Sequence, residues 1–400
     1  MARIVVAHRA TCGCRSRCSM TQRWAWAEIN LSALAHNVRV LATESAPSEV
    51  WAVVKANAYG HGALQCATTA IESGASGLCV ALADEAIALR QAGVSAPILV
   101  MSEQPADQHE DMIKYGLIAT LYNRATIEYY ANVAARLGVV GAVHIKVDTG
   151  MHRVGTEPKQ AVEMARLIAA QTWLQLDGIF THLATADVVD HEATARQIAE
   201  FDQVCDDLKL IGLLPSRVHI ANSSATMNHV GIAGQMKNAP TMTRVGIAMY
   251  GIAADAQNNS FGVATGEALQ RVMSLKARVS HVQWLGEGEA VSYGLHRTLN
   301  QRSCIATLPI GYADGLPRGL WTTGEVLIGG KRRPFAGVVT MDQVMINCES
   351  DDVQIGDEAV LIGQQGEIQI TANDWARQLG TIGYEIVCGI SARVPRNYLR

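Results

Sequence analysis

The chain has 400 residues, 49% hydrophobic and 18% charged, with a formal net charge of −4. That length and apolar content suit two domains, or one large barrel with an added module, able to bury a sizeable core. The mildly acidic balance and the lack of a basic stripe argue against nucleic-acid binding, and no run of about 18 apolar residues offers a membrane span. In chain order, the first 26 residues hold five arginines and no lysine or acidic residue. They lack a long apolar region or a clear cleavage site, so residues 1–23 are expected to be a disordered extension rather than a targeting peptide, with Met20 as a candidate start. Cys12, Cys14 and Cys18 fall there without a spacing that completes a zinc site, and no metal is expected. Nine cysteines in all, odd in number and scattered, suit a reducing cytoplasm rather than a disulfide framework.

Short apolar, β-rich runs then alternate with amphipathic stretches. The runs are 50–56, 78–82, 98–101, 116–121, 143–147, 176–181, 217–221 and 244–249. Helical patterns lie between them at 84–91, 126–137, 158–170 and 191–210, with Gly93 and Gly138 as helix-ending glycines. Strand followed by helix, eight times, predicts a (β/α)8 TIM-like barrel over residues 24–264, whose first few residues are free to pair with the C-terminal domain. From 265 to 400 the texture is mainly β. Strands are expected at 272–285, 304–310, 325–328, 335–340, 344–348 and 359–362. Turns fall at Gly286-Glu287-Gly288 and Gly329-Gly330, and one helix is expected at 372–379.

In such barrels chemistry gathers at the C-terminal ends of the strands. Lys55 ends the first run, where an unpaired ammonium is costly to bury and its pKa falls when desolvated. It is a candidate amine nucleophile for an aldehyde, although a lysine snorkelling from a strand end reads equally well from that residue alone. Lys146, Asp148 and Arg153 follow the fifth run. His182 follows the sixth; Asn222, Ser223 and Ser224 the seventh; Tyr250 and Gly251 the eighth. Lys146 and Asp148 could also be a simple ion pair.

These residues sit in stretches that resemble the alanine racemase family: AVVKANAYGHG at 52–62, KVDTGMHRVG at 146–155, THLATAD at 181–187, RVGIAMYG at 244–251, VSYG at 291–294, GYADG at 311–315, TMDQ at 340–343 and CGISARVPR at 388–396. The resemblance runs in family order from about residue 24 to the C-terminus. It implies a pyridoxal 5'-phosphate enzyme, a barrel plus β domain, that interconverts L- and D-alanine by two-base proton transfer. As a cytoplasmic homodimer with shared active sites, it would supply D-alanine for peptidoglycan. It further implies that Lys55 carries the cofactor as a Schiff base and acts as one base. Tyr293, given from the partner subunit, would be the other, with His182 polarising it and linked to Arg244. Arg244 would face the pyridine nitrogen; being donor-only, it leaves that nitrogen unprotonated. The phosphate set would be Tyr59, Ser224, Gly246, Ile247 and Tyr384. Arg153 and Met341 would hold the substrate carboxylate. Asp187, Tyr312, Arg318 and Asp342 would line a substrate corridor, and Lys146 would be carbamylated. A broad-spectrum or serine racemase on the same scaffold is the alternative. An arginine facing the pyridine argues against decarboxylases, and the β domain argues against a cofactor-binding homeostasis protein. One departure is Gly383 before Tyr384, where the family usually has proline.

Overall fold

The computed structural model describes residues 23–188, 190–229, 236–254 and 268–400. Residues 1–22 and the expected boundary at 264/265 lie outside the described residues. β1 (Ala25–Asn30) runs directly into α1 (Leu31–Ser45). Asn30 caps that helix, its Oδ1 accepting from Ala33 N at 2.9 Å, and Leu31, Leu34, Val38 and Leu41 form its buried stripe. The barrel elements come next: β2 (Glu49–Val53), α2 (Lys55–Tyr59), α3 (Ala63–Glu72), β3 (Gly77–Val80), α4 (Ala83–Gln91), β4 (Ile98–Val100), α5 (His109–Lys114), β5 (Ala119–Leu121), α6 (Arg124–Leu137), β6 (Gly141–Lys146), α7 (Ala161–Ala169), β7 (Leu174–Phe180), α8 (Glu192–Leu210), β8 (Arg217–His219), α9 (Ser223–Met227) and β9 (Met242–Val245).

Strands β2 to β9 are parallel and form two arcs, β4-β3-β2-β9 and β5-β6-β7-β8. The arcs join through a Leu99–Ile118 bridge on one side. On the other, Thr241 N donates to Val218 O (2.9 Å) and Arg244 N to Ala221 O (3.0 Å). Eight parallel strands with intervening helices make the barrel expected from the sequence. All eight runs contain a strand, with shifted ends: the eighth stops at Val245, and Ile247–Tyr250 is a 3-10 turn. Tyr250 is therefore not a rim group. It is fully buried and donates its hydroxyl to Val53 O at 3.1 Å.

The rest is mainly β: β10 (Met273–Arg278), β11 (His281–Leu285), β12 (Ala290–Val291), β13 (Arg297–Thr298), β14 (Ser303–Leu308), β15 (Glu325–Ile328), β16 (Lys331–Pro334), β17 (Val344–Asn347), β18 (Glu358–Gln365) and β19 (Ile368–Ile370), then α10 (Ala372–Leu379), α11 (Gly383–Gly389) and β20 (Arg396–Leu399). The main sheet runs β16-β15-β18-β10-β1-β20. Thus β1 lies inside it, antiparallel to β10 and parallel to β20, and Arg23 is ordered, bonded to Arg393 O (2.8 Å) and paired with Asp314 (2.7 Å).

Two strand expectations change here. The run 272–285 divides between two sheets, because Val279 N bonds Asp357 O and Ser280 N bonds Thr307 O (2.9 and 2.8 Å). The run 335–340 is a loop joined to the sheet by a Phe335–Ile346 bridge; Gly337, at φ 105°, leaves strand geometry.

Candidate active site

A cavity of about 240 Å³ opens at the C-terminal ends of the barrel strands. A larger groove of about 930 Å³ lies against α8, but it gathers no lysine with tyrosines. In the barrel cavity, Lys55 enters from the residues after β2. Burial, then the Arg153 guanidinium, holds its amine below the ordinary lysine value, while Glu85 opposes that shift. Its Nζ lies 5.9 Å from the centre of the Tyr59 ring.

Opposite Lys55 the lining is built to meet an anion. Ser223 is the first residue of α9, capped by Asn222, whose Oδ1 accepts from Ala225 N at 2.9 Å. The Ser223 Oγ accepts from Gly246 N (2.8 Å) and Ala248 N (3.3 Å), so its own proton is free to be donated. Ile247, first residue of the 3-10 turn, adds an N–H of the kind helix starts leave unpaired. Tyr59 and Tyr384 bring two hydroxyls, with ring centres 6.0 Å apart, and burial raises both pKa values, so both remain protonated donors. The sequence reading put Ser224 here. The lining residue is instead Ser223, one position earlier: on so short a helix, one step turns the side chain by about 100°.

Arg244 on β9 is 3% exposed. Its Nη2 donates to Thr181 O (2.9 Å), Ile220 O (3.2 Å) and His182 Nδ1 (3.4 Å), and its Nη1 to His219 Nδ1 (2.7 Å). Those bonds fix the tautomers beyond. His219 must donate from Nε2 to His144 Nδ1 (2.9 Å), and His144 from Nε2 to Asp177 Oδ2 (3.0 Å). Asp177 is anchored by Arg217 at 2.8 Å. This file of polar groups down the barrel was missed in the sequence; its signal was the polar residues His144, His219 and Arg244 inside apolar runs. Burial lowers Arg244 to about 10, which leaves it charged, and pushes His182 well below the usual histidine value, with Arg244 and Arg153 adding to the effect. Neutral His182, accepting at Nδ1, presents Nε2–H. Gln197 on α8 steadies its loop, donating to His182 O (3.0 Å) and accepting from Ala184 N (2.9 Å).

Lys146, 6% exposed, sits 5.5 Å from the Phe180 ring centre and is lowered to about 8 by burial, then Arg244 and Arg153. Its ion pair with Asp148 does not form: Asp148 Oδ1 takes Gly150 N (3.0 Å) and His152 N (2.9 Å) instead.

A second group of predicted residues lies on the β domain and does not line this chain's cavity. Tyr293 is 74% exposed, Met341 52% and Tyr312 43%. Their loops are pinned together: Ser292 Oγ donates to Val338 O (2.8 Å), Tyr312 N to Thr340 O and Ala313 N to Met341 O (both 3.0 Å). Asp342 is paired with Arg393 at 2.7 Å. Arg318 is exposed at a 3-10 turn and Asp187 is exposed on the loop after β7, close enough to Tyr384 to affect it.

Residues 29–254 match the N-terminal domain profile of alanine racemase, and residues 272–398 the C-terminal one. The chain belongs to the alanine racemase family. It is 43% identical over 374 residues to the alanine racemase of Symbiobacterium thermophilum, covering 93% of this chain and 96% of that one. The solved alanine racemase of Streptomyces lavendulae superposes with a TM-score of 0.88 at 34% identity, covering 95% of this chain and 98% of that one. A histidine racemase from Leuconostoc mesenteroides has nearly the same fold, with a TM-score of 0.86 at 28% identity over 95% and 99% of the two chains.

Like its family, the chain is an isomerase that interconverts L- and D-alanine with pyridoxal phosphate. The cavity fits that cofactor. It offers a partly buried amine for the aldehyde and hydroxyl donors for the phosphate. Its buried cation cannot protonate a pyridine nitrogen at neutral pH. The main chain at Gly246 comes so near that a Cβ there would stand 2.6 Å from the Tyr59 hydroxyl oxygen, so only glycine keeps that side of the cradle open.

Proposed function

We propose that racemisation runs by a two-base exchange at a site shared between two subunits, with Lys55 on one face and Tyr293 of the partner subunit on the other. The observation that carries this reading is the separation of the two bases within one chain. Lys55 lines the cavity, while Tyr293 stands largely exposed on the β domain and does not. An α-carbon that loses its proton on one face and regains one on the other needs two groups. Pyridoxal phosphate, when bound, withdraws electrons and so acidifies the α-proton.

The other roles come from the chain's own groups. Lys55 holds the cofactor, then takes or returns the proton at the α-carbon. Tyr293 of the partner subunit does the same from the opposite side, with the Nε2–H of His182 facing its oxygen. Tyr59, Ser223, Ile247 and Tyr384 bind phosphate, Arg244 faces the pyridine nitrogen, and Arg153 takes the substrate carboxylate together with the N–H of Met341 of the partner subunit. Tyr312, Asp187, Arg318 and Asp342 line the approach. The barrel supplies most of the cofactor cradle, completed by Tyr384 of the same chain's β domain, while the rest of the β domain serves the partner subunit's site across a homodimer. Among the described residues no helix is long and apolar enough to cross a membrane. In this reading the enzyme works in the cytoplasm and makes D-alanine for peptidoglycan. A broader substrate range is the second reading, favoured by the histidine racemase on nearly the same fold.

The test is chiral chromatography of alanine, serine and histidine with the cofactor spectrum recorded alongside. Lys55→Ala is expected to lose the lysine-bound cofactor band and turnover. Tyr293→Phe is expected to slow proton removal from one enantiomer more than from the other. Mixing the two variants should restore activity, because one hybrid site then has both bases. A proven heterodimer with no recovery would sink the shared-site reading, and faster turnover of serine or histidine would move the substrate away from alanine.

A further inference from the structure

Lys55 is followed by a backbone that the sequence offers no reason to expect. Ala56, Asn57, Ala58 and Tyr59 have φ of 51, 54, 55 and 52°, so α2 is a left-handed turn made without glycine. In each such residue Cβ crowds the following carbonyl, which is why left-handed residues normally occur singly. Strain of this kind persists only where the surroundings over-determine it.

The later part of the turn is held by its own loop. Ala58 N bonds Val54 O (2.8 Å), Gly60 N bonds Ala56 O (3.0 Å), and the His61 Nδ1 lies 3.0 and 2.9 Å from Ala58 O and Tyr59 O. Its first strained residue is held from elsewhere. Ala56 N donates to Glu85 Oε1 at 2.6 Å, while Glu85 Oε2 accepts from Ala81 N (2.9 Å) and Leu82 N (3.1 Å). One carboxylate on the first turn of α4 therefore ties the start of α2 to the end of β3, the neighbouring barrel strand. A carboxylate is suited to this because it is acceptor-only and can serve three N–H groups at once.

We propose that Glu85 is a positioning residue, whose carboxylate locks the left-handed turn so that Lys55 Nζ and the Tyr59 hydroxyl meet in one cavity. The inference rests on the reading of Lys55 as the cofactor-bearing lysine. Glu85 has a second effect on that amine. It opposes the lowering by burial and by Arg153; Cys79 on β3 and Cys388 on α11 act in the same sense as Glu85, and Lys146 on β6 and His182 after β7 also face the site.

The test compares wild type, Glu85→Ala, Glu85→Ala with Ala56→Gly, and Glu85→Gln. Pyridoxal phosphate affinity is read from the lysine-bound band, kcat from L-alanine turnover, and unfolding midpoints are taken alongside. Glu85→Ala is expected to weaken cofactor binding and kcat about tenfold, the size of one lost charge-assisted anchor. Adding Ala56→Gly should recover several-fold of both, because glycine takes the left-handed conformation without a Cβ. Glu85→Gln should move the pH dependence of Schiff-base formation to lower pH, since the anion that favours the ammonium is gone. Glu85→Ala with wild-type affinity and rate overturns the role, as does a loss that glycine does not recover together with an unmoved pH profile in Glu85→Gln. A wild type that takes up no cofactor and racemises nothing overturns the reading of Lys55, and this role with it.

Discussion

Gly383 is where the chain departs from its family's proline, and the surroundings explain the exchange. A Cβ there would stand 2.2 Å from Asn373 Oδ1 and 2.8 Å from Ile252 Cγ2. Asn373 is 4% exposed and tethered to Ala253 O at 3.3 Å, so it has little room to retreat. A side chain at 383 must displace Asn373 or shift the start of α11, which carries Tyr384. Gly383→Pro is expected to destabilise by about 1–3 kcal/mol, the usual size of core overpacking, and to loosen cofactor binding; Gly383→Pro with Asn373→Ala should regain much of both. Urea unfolding checks this, and a Gly383→Pro protein as stable as wild type would refute the steric account. Lys146 makes a second residue-scale case. With its amine near 8 and no carboxylate paired to it among the described residues, a rising share is uncharged as pH climbs through that value, and only the uncharged amine can add carbon dioxide. Labelled bicarbonate should give a carbamate carbon resonance that grows with pH in that range and is missing in Lys146→Met. Its absence from the wild type above that pH would remove the carbamate.

Elements differed in how plainly the sequence announced them. The barrel strands are buried on both faces, so they read as continuous apolar runs. Helix α10 was bounded correctly because Thr371 and Asp374 form a reciprocal cap, at 2.7 Å and 3.1 Å, and Gly380 closes it at φ 68°. β1 was foreseen only as first residues free to pair with the C-terminal domain, which they do; α1 was missed although its signals were present: Asn30 as cap, then leucines and valine at helical spacing. What was not legible was α2, since in Ala-Asn-Ala-Tyr only Asn57 readily adopts positive φ and four such residues in a row are not expected. Its anchor, Glu85, lies 29 residues from Ala56. The site shows the same division. Lys55, Tyr59, Arg153, His182, Arg244, Gly246, Ile247 and Tyr384 do line one cavity. Choosing Ser223 over Ser224 needed the helix phase, and the file from Arg244 to Asp177 needed side-chain packing across four strands, β9, β8, β6 and β7.

Across the whole molecule, the cavity is supported by histidines kept neutral. Burial lowers His61, His144, His182 and His219, which sit on different parts of the barrel, and His61 falls to about 4. Each folded-state pKa lies below the unfolded value of about 6.5. Between the two values the unfolded chain binds protons that the folded chain refuses, so stability is complete above about pH 6.5 and falls as pH drops below it. For His61 alone the window from 6.5 to about 4 corresponds to on the order of 3 kcal/mol. Asp148 and Asp177 act elsewhere on the scale. Their folded pKa values are depressed below the ordinary aspartate value of 3.8, so what they contribute is present above that pH and is lost only in stronger acid. A decline between about pH 6.5 and 5 is therefore assigned to the histidines. The urea midpoint is expected to hold between about pH 8 and 7 and then to fall steadily toward about pH 5, with a shallower fall in His61→Gln because one of the proton-refusing groups is gone. A midpoint that does not change over that lower range would mean the buried imidazoles take up protons as readily as exposed ones, and that the barrel interior is wetter than its packing implies.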